Sequence, residues 1–485
     1  MSALSVRRET VRLCPDQTRV VLRPLGFGSD AEYEKIFRRV LALPEAEVQG
    51  VLDGVLADFS SRHRWLVKRL LARFHHLEHR LPAGADLSEA RKLLLGAYFV
   101  YEYSAESAAL FNPSIIPHPD QSGVAKGSLR FLLSLRSTGE GHISSISFRS
   151  GLIDAQGRVS VDPASRFLTD PELVENATYH KALFLRKVAE MGLAGDWATR
   201  LVGRLKGEFF TLAELKHSLQ ETLWEAGLGR HIGVDATAMG LWLLAQSNYD
   251  IRFPPDQELS ERIIFPVTPI QSNGLEDVRL TAFEDGGKTV YYATYTAYDG
   301  RNVLPQLFET EDFSHFKFAT LNGPGVQNKG MALFPRKIGG RYAMLSRQDG
   351  ENVYLMYSDN VHFWDTSKLI VSPAHSWDFV KTGNCGSPIE TEAGWLVLSH
   401  GVGPMRKYSL GAFLLDRDDP SKVLGRLKEP LMSPQGDERE GYVPNVLYTC
   451  GALVHNGRLI VPYGLSDRQT GFASVALGDL LAAMV

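Results

Sequence analysis

Cysteine is scarce in this chain: three in 485 residues, Cys14, Cys385 and Cys450, with no CxxC pair. So sparse and odd a count excludes a disulfide framework and a cysteine zinc site, and it points to a reducing cytoplasm. No run of about 18 apolar residues is present, so no membrane span is expected. The opening MSALSVRRETVRL lacks the apolar segment and small-residue cleavage site of a secretory signal. An excess of one charge is lacking too. Fifty-two basic and 56 acidic residues leave a net charge of -4, which argues against a nucleic-acid partner while allowing a local basic pocket. GxGxxG before a helix, Walker A, HExxH and GxSxG are all missing, which removes four common enzyme plans. Cys385, in Gly383-Asn-Cys-Gly-Ser-Pro, has no base nearby in sequence and reads as a buried structural thiol.

What is there is an ordinary globular composition, 44% hydrophobic and 22% charged, in a chain long enough for more than one domain. Residues 1–106 read as an N-terminal helical domain. Asp30-AEYEKIFRRVLAL, Glu45 to Phe59, Ser60 to Leu77 and Leu87 to Tyr103 carry apolar residues at helical spacing, with Pro44 at a helix start. From residue 107 to 485 short strands separated by turn residues take over. A helical insertion interrupts them at about 165–250 and is expected to pack on the N-terminal helices. Leu307-FETEDFSHFKF and Leu355-MYSDNVHFWD start 48 residues apart, each a strand, an acid-containing turn and an aromatic. Gly411-AFLLDRDDP is a degenerate third copy. A period of roughly 40–50 residues with several strands per period points to a β-propeller, since a sandwich does not repeat in this way.

Propeller ligands bind where strand ends and top loops converge, so polar clusters at those places are the candidates. Asn273-Gly-Leu-Glu276-Asp277-Val-Arg279 sets two acids just inside a strand. In a regular strand they face opposite ways, so the pair reads either as one functional acid with a structural partner of Arg279 or as a salt-bridged blade corner. Lys329, flanked by Asn328 and Gly330, presents an ammonium to an anion or stands in a solvated turn. His400, Arg406, Lys407 and Tyr408 fall within nine residues and read equally as a surface loop or as a group that binds phosphate or carboxylate through charge-assisted hydrogen bonds. Arg136 closes the strand that follows Asn112-Pro-Ser114, and Pro462-Tyr-Gly-Leu-Ser-Asp467 lies near the C-terminus. These last two groups read equally as sugar contacts or as turns.

Taken in order, FNPSII, FLLSLRS, NGLEDVR, YYATYTAYDG, DFSHF, NKGMALFPRKIGGRYAMLSR, GSPIETEAGWLVLSHGV, YSLGAFLLD and VPYGLSD resemble glycoside hydrolase family 130, the β-mannoside phosphorylases and β-mannosidases. The resemblance implies a mainly β fold, a five-bladed β-propeller, with the N-terminal helical region and the insertion marking a longer subgroup. It implies an inverting β-mannoside phosphorylase that cleaves β-linked manno-oligosaccharides with inorganic phosphate to give mannose 1-phosphate. The alternatives are an inverting β-mannosidase and a non-catalytic glycan-binding propeller. Asp277 is the implied catalytic acid, in an E-D-P-R segment whose proline is Val278 here. Arg136, Lys329, His400 and Tyr408 are the implied phosphate ligands, although the usual N-K-D reads Asn328-Lys329-Gly330. Asn112, Ser114, Arg301 and Asp467 are implied substrate contacts. A hydrolase needs a second carboxylate to activate water, for which Glu390 and Glu440 are the candidates. No metal or organic cofactor is implied, phosphate being a co-substrate. Homo-oligomeric assembly stays open.

Overall fold

The computed structural model describes residues 4–81, 86–175 and 177–484. The fold is mainly β, and most of its strands fall into five successive antiparallel groups, the first two joined in one sheet. The first runs Ala109–Pro117, Leu129–Thr138, Ser144–Ile153 and the short Val159–Val161. The second runs Gly274–Asp285, Lys288–Tyr298, Val303–Thr310 and His315–Thr320. Strand pairing joins it to the first through one parallel bridge, Gly274 to Ser144. The third holds Ala332–Leu333, Tyr342–Ser346, Val353–Ser358 and Ser367–Val371. Lys381–Asn384, Gly394–Val402, Tyr408–Leu415 and Val423–Arg426 form the fourth. Leu447–Tyr448, Arg458–Leu465 and Gln469–Ala476 belong to the fifth. The repeat seen in the sequence falls on the third strand of the second, third and fourth groups.

Strand alternation explains how the groups stack. Successive side chains point to opposite faces, so a strand that is apolar throughout feeds two cores at once. In Gly394–Val402, Trp395 and Val397 enter a core shared with the third group, while Leu396 and Leu398 enter one shared with the fifth. Met344 packs toward the second group and its neighbours Ala343 and Leu345 toward the fourth. Leu132 packs against the second group; Phe131, Leu133 and Leu135 meet Ile460 and Phe472 of the fifth. Every group therefore shares a core with the next, and the fifth shares one with the first. Truncating a Leu in such a core costs about 2–5 kcal/mol.

The segment expected to be helical over 1–106 needs correction at both ends. Its helices are Asp30–Leu41, Glu45–Phe59, Leu66–Leu77 and Glu89–Tyr98. Before them, Arg7–Leu13 is a strand that pairs antiparallel with Gln469–Ala476, Arg7 opposite Ser474. The residues RRETVRL are too few and too charged to declare their partner, and pairing supplies it. Arg8 places its guanidinium 2.7 Å from Glu438, a carboxylate only 2% exposed that also accepts from Tyr463 Oη at 2.7 Å. Asp16–Pro24 then pairs with Val100–Glu106. Arg19 and Arg149 both grip the buried Glu106, at 3.1 and 2.6 Å.

The insertion contains helices Lys181–Glu190, Asp196–Arg204, Leu212–Glu225 and Ala236–Gln246 around a core of its own. Thr211 and Glu214 cap the third of these reciprocally, Oγ1 accepting from the Glu214 amide and the carboxylate accepting from the Thr211 amide. The insert leaves and returns at paired strands, Glu172–Leu173 and Tyr249–Arg252, on the outer edge of the second group. Its first residues meet the N-terminal helices as expected, Asp170 lying 3.2 Å from Arg69 and Glu172 3.5 Å from Lys68, while its helices reach the β fold. Its contacts include Glu190 accepting from the Gly323 amide at 2.6 Å and Arg186 over the Phe363 ring, both toward the second and third groups.

Candidate active site

A cleft of about 310 Å³ opens where the five groups converge, and each group contributes to it. Asn112 and Arg136 come from the first, Asp277 from the second, Lys329 and Arg347 from the third. Lys381, His400, Arg406 and Tyr408 come from the fourth, Tyr448 and Asp467 from the fifth. Five cations and two carboxylates thus line one small space.

The acid is set by a break in its strand. Glu276 pairs with Thr296 and Arg279 with Thr294, so one extra residue is bulged out between them, and Asp277 takes φ +55°. Asn112 sits in a matching one-residue bulge, between the Phe111–Arg136 and Ser114–Ser134 pairs, at φ +48°. Bulges re-aim side chains, and positive φ in a residue with a Cβ costs of order 1–3 kcal/mol, tolerated mostly at functional sites. Arg406 and Asp467 also adopt positive φ, at 55° and 52°.

Because the strand is bulged, the alternation expected for Glu276 and Asp277 fails. Both carboxylates face the same arginine: Arg136 donates to Glu276 Oε1 at 2.7 Å and lies 3.7 Å from Asp277 Oδ1. Lys329 Nζ stands 3.9 Å from Glu276 Oε2. Arg279 is not the structural partner of either acid. It is buried and donates to Tyr448 Oη at 2.8 Å and to the Met331 carbonyl. Asn112 Nδ2 donates to Asp277 Oδ1 at 2.5 Å. Burial pushes the Asp277 carboxyl upward, but Lys329, Arg136, Arg279 and Arg347 outweigh it and hold its pKa below the usual value. Asp467 goes the other way: burial, reinforced by the Asp277 charge and opposed by Arg136, raises it to about 6.

His400 is fully buried. Arg347 Nη1 lies 3.0 Å from its Nε2, and Cys385 Sγ lies 3.5 Å from its Nδ1. A guanidinium only donates, so Nε2 accepts and the ring proton sits on Nδ1. Burial and the neighbouring Arg347, Arg279, Lys381 and Lys329 charges keep this imidazole neutral, far below its ordinary pKa. Both nitrogens are therefore engaged within the protein, and His400 lines the cleft with its Nε2 on Arg347. The Tyr408 ring stacks on His400 at 5.9 Å, with Lys381 Nζ 5.5 Å from its centroid.

Gly330, where the resembled family carries aspartate, has φ +96°, and a Cβ there would stand 2.2 Å from Arg347 Nε. A Cβ on Gly383 would meet Arg347 Cδ at 2.4 Å and His400 Cε1 at 2.5 Å. The two glycines thus form the slot through which Arg347 reaches the cleft.

Two expected substrate contacts lie elsewhere. Ser114 is fully buried, its Oγ accepting from the Leu280 amide at 3.0 Å, and so it fastens the first group to the second. Arg301 is exposed in the Asp299–Asn302 turn, outside the residues that line the cleft. Neither candidate second carboxylate reaches the cleft. Glu390 is held by Arg336 at 2.7 Å and Arg417 at 2.9 Å, and Glu440 is exposed. Sequence reasoning missed Arg347, Lys381 and Tyr448.

The family model described as beta-1,4-mannooligosaccharide phosphorylase, glycoside hydrolase family 130, matches residues 239–485, which include six of the nine expected site residues. The chain belongs to glycoside hydrolase family 130. A 1,2-beta-oligomannan phosphorylase of Thermoanaerobacter sp. (strain X514) is 37% identical over 227 residues, 44% of this chain and 74% of that protein. The beta-1,2-mannobiose phosphorylase of Listeria innocua is 29% identical over 252 residues, 50% of this chain and 69% of that protein. The solved complex of the Listeria innocua enzyme with beta-1,2-mannobiose covers 78% of this chain and 92% of its own, at 21% identity and a TM-score of 0.47.

Proposed function

We propose that this family-130 enzyme is a five-bladed β-propeller that phosphorolyses β-linked manno-oligosaccharides with inversion, releasing mannose 1-phosphate. The catalytic unit takes in Arg7–Leu13 as a strand of its last blade, with residues 107–485 supplying the rest. The reading rests above all on the charge of the cleft. Arg136, Lys329, Arg347, Lys381 and Arg406 surround Asp277, a surplus of cation that suits a bound phosphate dianion. Phosphate is already a nucleophile, so the reaction needs an anion held in line and no base to activate water. The 1,2- and 1,4-linked mannoside phosphorylases among its relatives support the substrate class.

In this mechanism a phosphate oxygen attacks the anomeric carbon while the bond to the leaving sugar oxygen breaks. Asp277 delivers the proton to that oxygen, through a hydroxyl of the non-reducing mannose, and recovers one from the phosphate side after release. Free Asp277 is ionised because cations surround it. Phosphate neutralises those cations, which raises the carboxyl toward its protonated form as the second substrate binds. Arg136, Lys329, Arg347 and the Tyr408 hydroxyl hold phosphate; Asn112 orients the acid; Asp467 meets sugar hydroxyls. Among the described residues no helix is long and apolar enough to cross a membrane. Three free thiols, Cys14 exposed and Cys385 and Cys450 buried, support a cytoplasmic setting.

Incubation with β-1,2- and β-1,4-linked mannosides, with and without phosphate, tests the reading. Mannose 1-phosphate formed only with phosphate is expected. Free mannose in both conditions overturns it in favour of hydrolysis, for which Asp467 is the carboxylate in the cleft able to act as base.

A further inference from the structure

The helical insert and the β fold enclose a second cavity that shares no lining residue with the Asp277 cleft. It measures about 370 Å³, within the size range of small-ligand sites. Leu183 and Phe209 of the insert face Glu309, Lys317, Asn322 and His362 of the second and third strand groups across it. Three polar atoms of its lining residues are buried without a partner, Tyr179 Oη, Asn322 Oδ1 and His362 Nδ1. Asn322 is 1% exposed, and its amide nitrogen is fully occupied by the Thr320 and His362 carbonyls at 2.9 Å, so the orphaned oxygen is a surplus acceptor. An unsatisfied buried acceptor costs about 1–3 kcal/mol, which a ligand donor would recover.

The chemistry of the walls narrows the ligand. Burial, only partly offset by Glu309, keeps the His362 imidazole below its usual pKa and hence neutral, with one donor and one acceptor. Glu309 and Lys317 face each other loosely at 3.5 Å and offer one acceptor and one donor more. Phe209, 52% exposed, gives an apolar face at the mouth. Lys317 offsets Glu309, and Asp250, held 3.1 Å from His315, adds a further carboxylate, so an anion is disfavoured. A neutral molecule whose hydroxyls both donate and accept, with an apolar C–H face for Phe209, meets every requirement. An adjoining cavity of about 420 Å³ shares Glu309 and Lys317 and continues past Tyr292, which gives room for further units of a chain.

We propose that this cavity is a second saccharide-binding site, built by the insert against the β fold, that takes the hydroxyl-rich chain of an oligosaccharide. The choice of a β-mannan probe rests on the proposed function; the ligand class does not. The test is calorimetric titration of the full chain with β-1,2- and β-1,4-mannotetraose in the absence of phosphate. Two sites per chain are expected. Phe209→Ala and His362→Ala should each weaken one of them at least roughly tenfold, as loss of an anchoring contact implies, while Asp467→Ala weakens the other. A site lost with Phe209→Ala and none sensitive to Asp467→Ala would support the cavity while counting against the cleft reading. A single site indifferent to both cavity variants, or no binding at all, would overturn the proposal.

Discussion

Asn112 and Asp277 face each other from two bulged strands, each at positive φ, with Asn112 Nδ2 2.5 Å from Asp277 Oδ1. Two local distortions of different strands are thus matched to place one donor on one carboxylate. A donor to a carboxylate favours its charged form. Asn112→Ala should therefore raise the Asp277 pKa and shift the alkaline limb of the kcat–pH profile upward. Loss of orientation should at the same time lower its maximum by about 10–100-fold. A profile that drops without moving would assign Asn112 to sugar binding alone.

Asp277→Asn should reduce phosphorolysis by about a thousandfold or more, as removal of a general acid does. Its effect on stability has a definite sign. The folded pKa lies below the unfolded one, so the carboxylate stabilises the fold above its unfolded pKa, and that contribution disappears as pH falls through the folded value. The variant should be less stable than the parent at pH 7 and equal to it at strongly acidic pH. Chemical denaturation across pH checks this.

Asp467→Asn should do the opposite. With the carboxyl raised to about 6, ionisation opposes folding, and parental stability falls as pH rises from about 4 to about 6. The amide removes that penalty. A gain of about 2–3 kcal/mol in unfolding free energy at pH 7, fading below about pH 4, is the expected outcome. Weaker saccharide binding should accompany it.

Gly330→Ala should displace Arg347, since the new Cβ would stand 2.2 Å from Nε at a φ of +96°. The Michaelis constant for phosphate should rise at least about tenfold, with a smaller change for the mannoside, because a charge-assisted contact contributes about 1.5–3 kcal/mol. His400→Phe should act the same way by leaving Arg347 Nη1 without its acceptor. Equal effects on both substrates would place Arg347 outside phosphate binding.

Arg8→Ala should lower stability by about 2 kcal/mol, because Glu438 is left buried with only Tyr463 and local backbone donors. Thermal unfolding at neutral pH measures it, and Arg8→Lys should restore part of the loss.

Much of the β architecture was legible because its strands feed two cores and repeat. The acid-containing turns after Leu307 and Leu355 mark equivalent strands, and that periodicity survives in a single sequence. Asp277, Lys329, Tyr408 and Asp467 were legible as polar residues near strand ends. The companion of Asp277 was not, because a bulge depends on partner register and one strand does not encode it. Arg347 carried a usable signal that was overlooked. Leu345-Ser346 precedes Arg347, Leu398-Ser399 precedes His400, and Leu465-Ser466 precedes Asp467. Leu133-Ser134 stands one residue further from Arg136. The same dipeptide thus delivers a cleft residue in four of the five groups. Ser114 misled in the opposite sense: a hydroxyl beside a site residue satisfied a backbone amide. Arg7–Leu13 was illegible because its partner lies more than 450 residues away.

That distant pairing also orders events during synthesis. At about 5–20 residues per second, Arg7 leaves the ribosome tens of seconds before Ser474 exists to receive it. For that interval the leading strand is an open template for any other nascent chain. Arg7, Arg8, Glu9 and Arg12 give it the charged edge that discourages such pairing. Arg7–Leu13 and Gln469–Ala476 can pair only once residue 476 has been made, so a product cut short before that point leaves the fifth strand group without this edge.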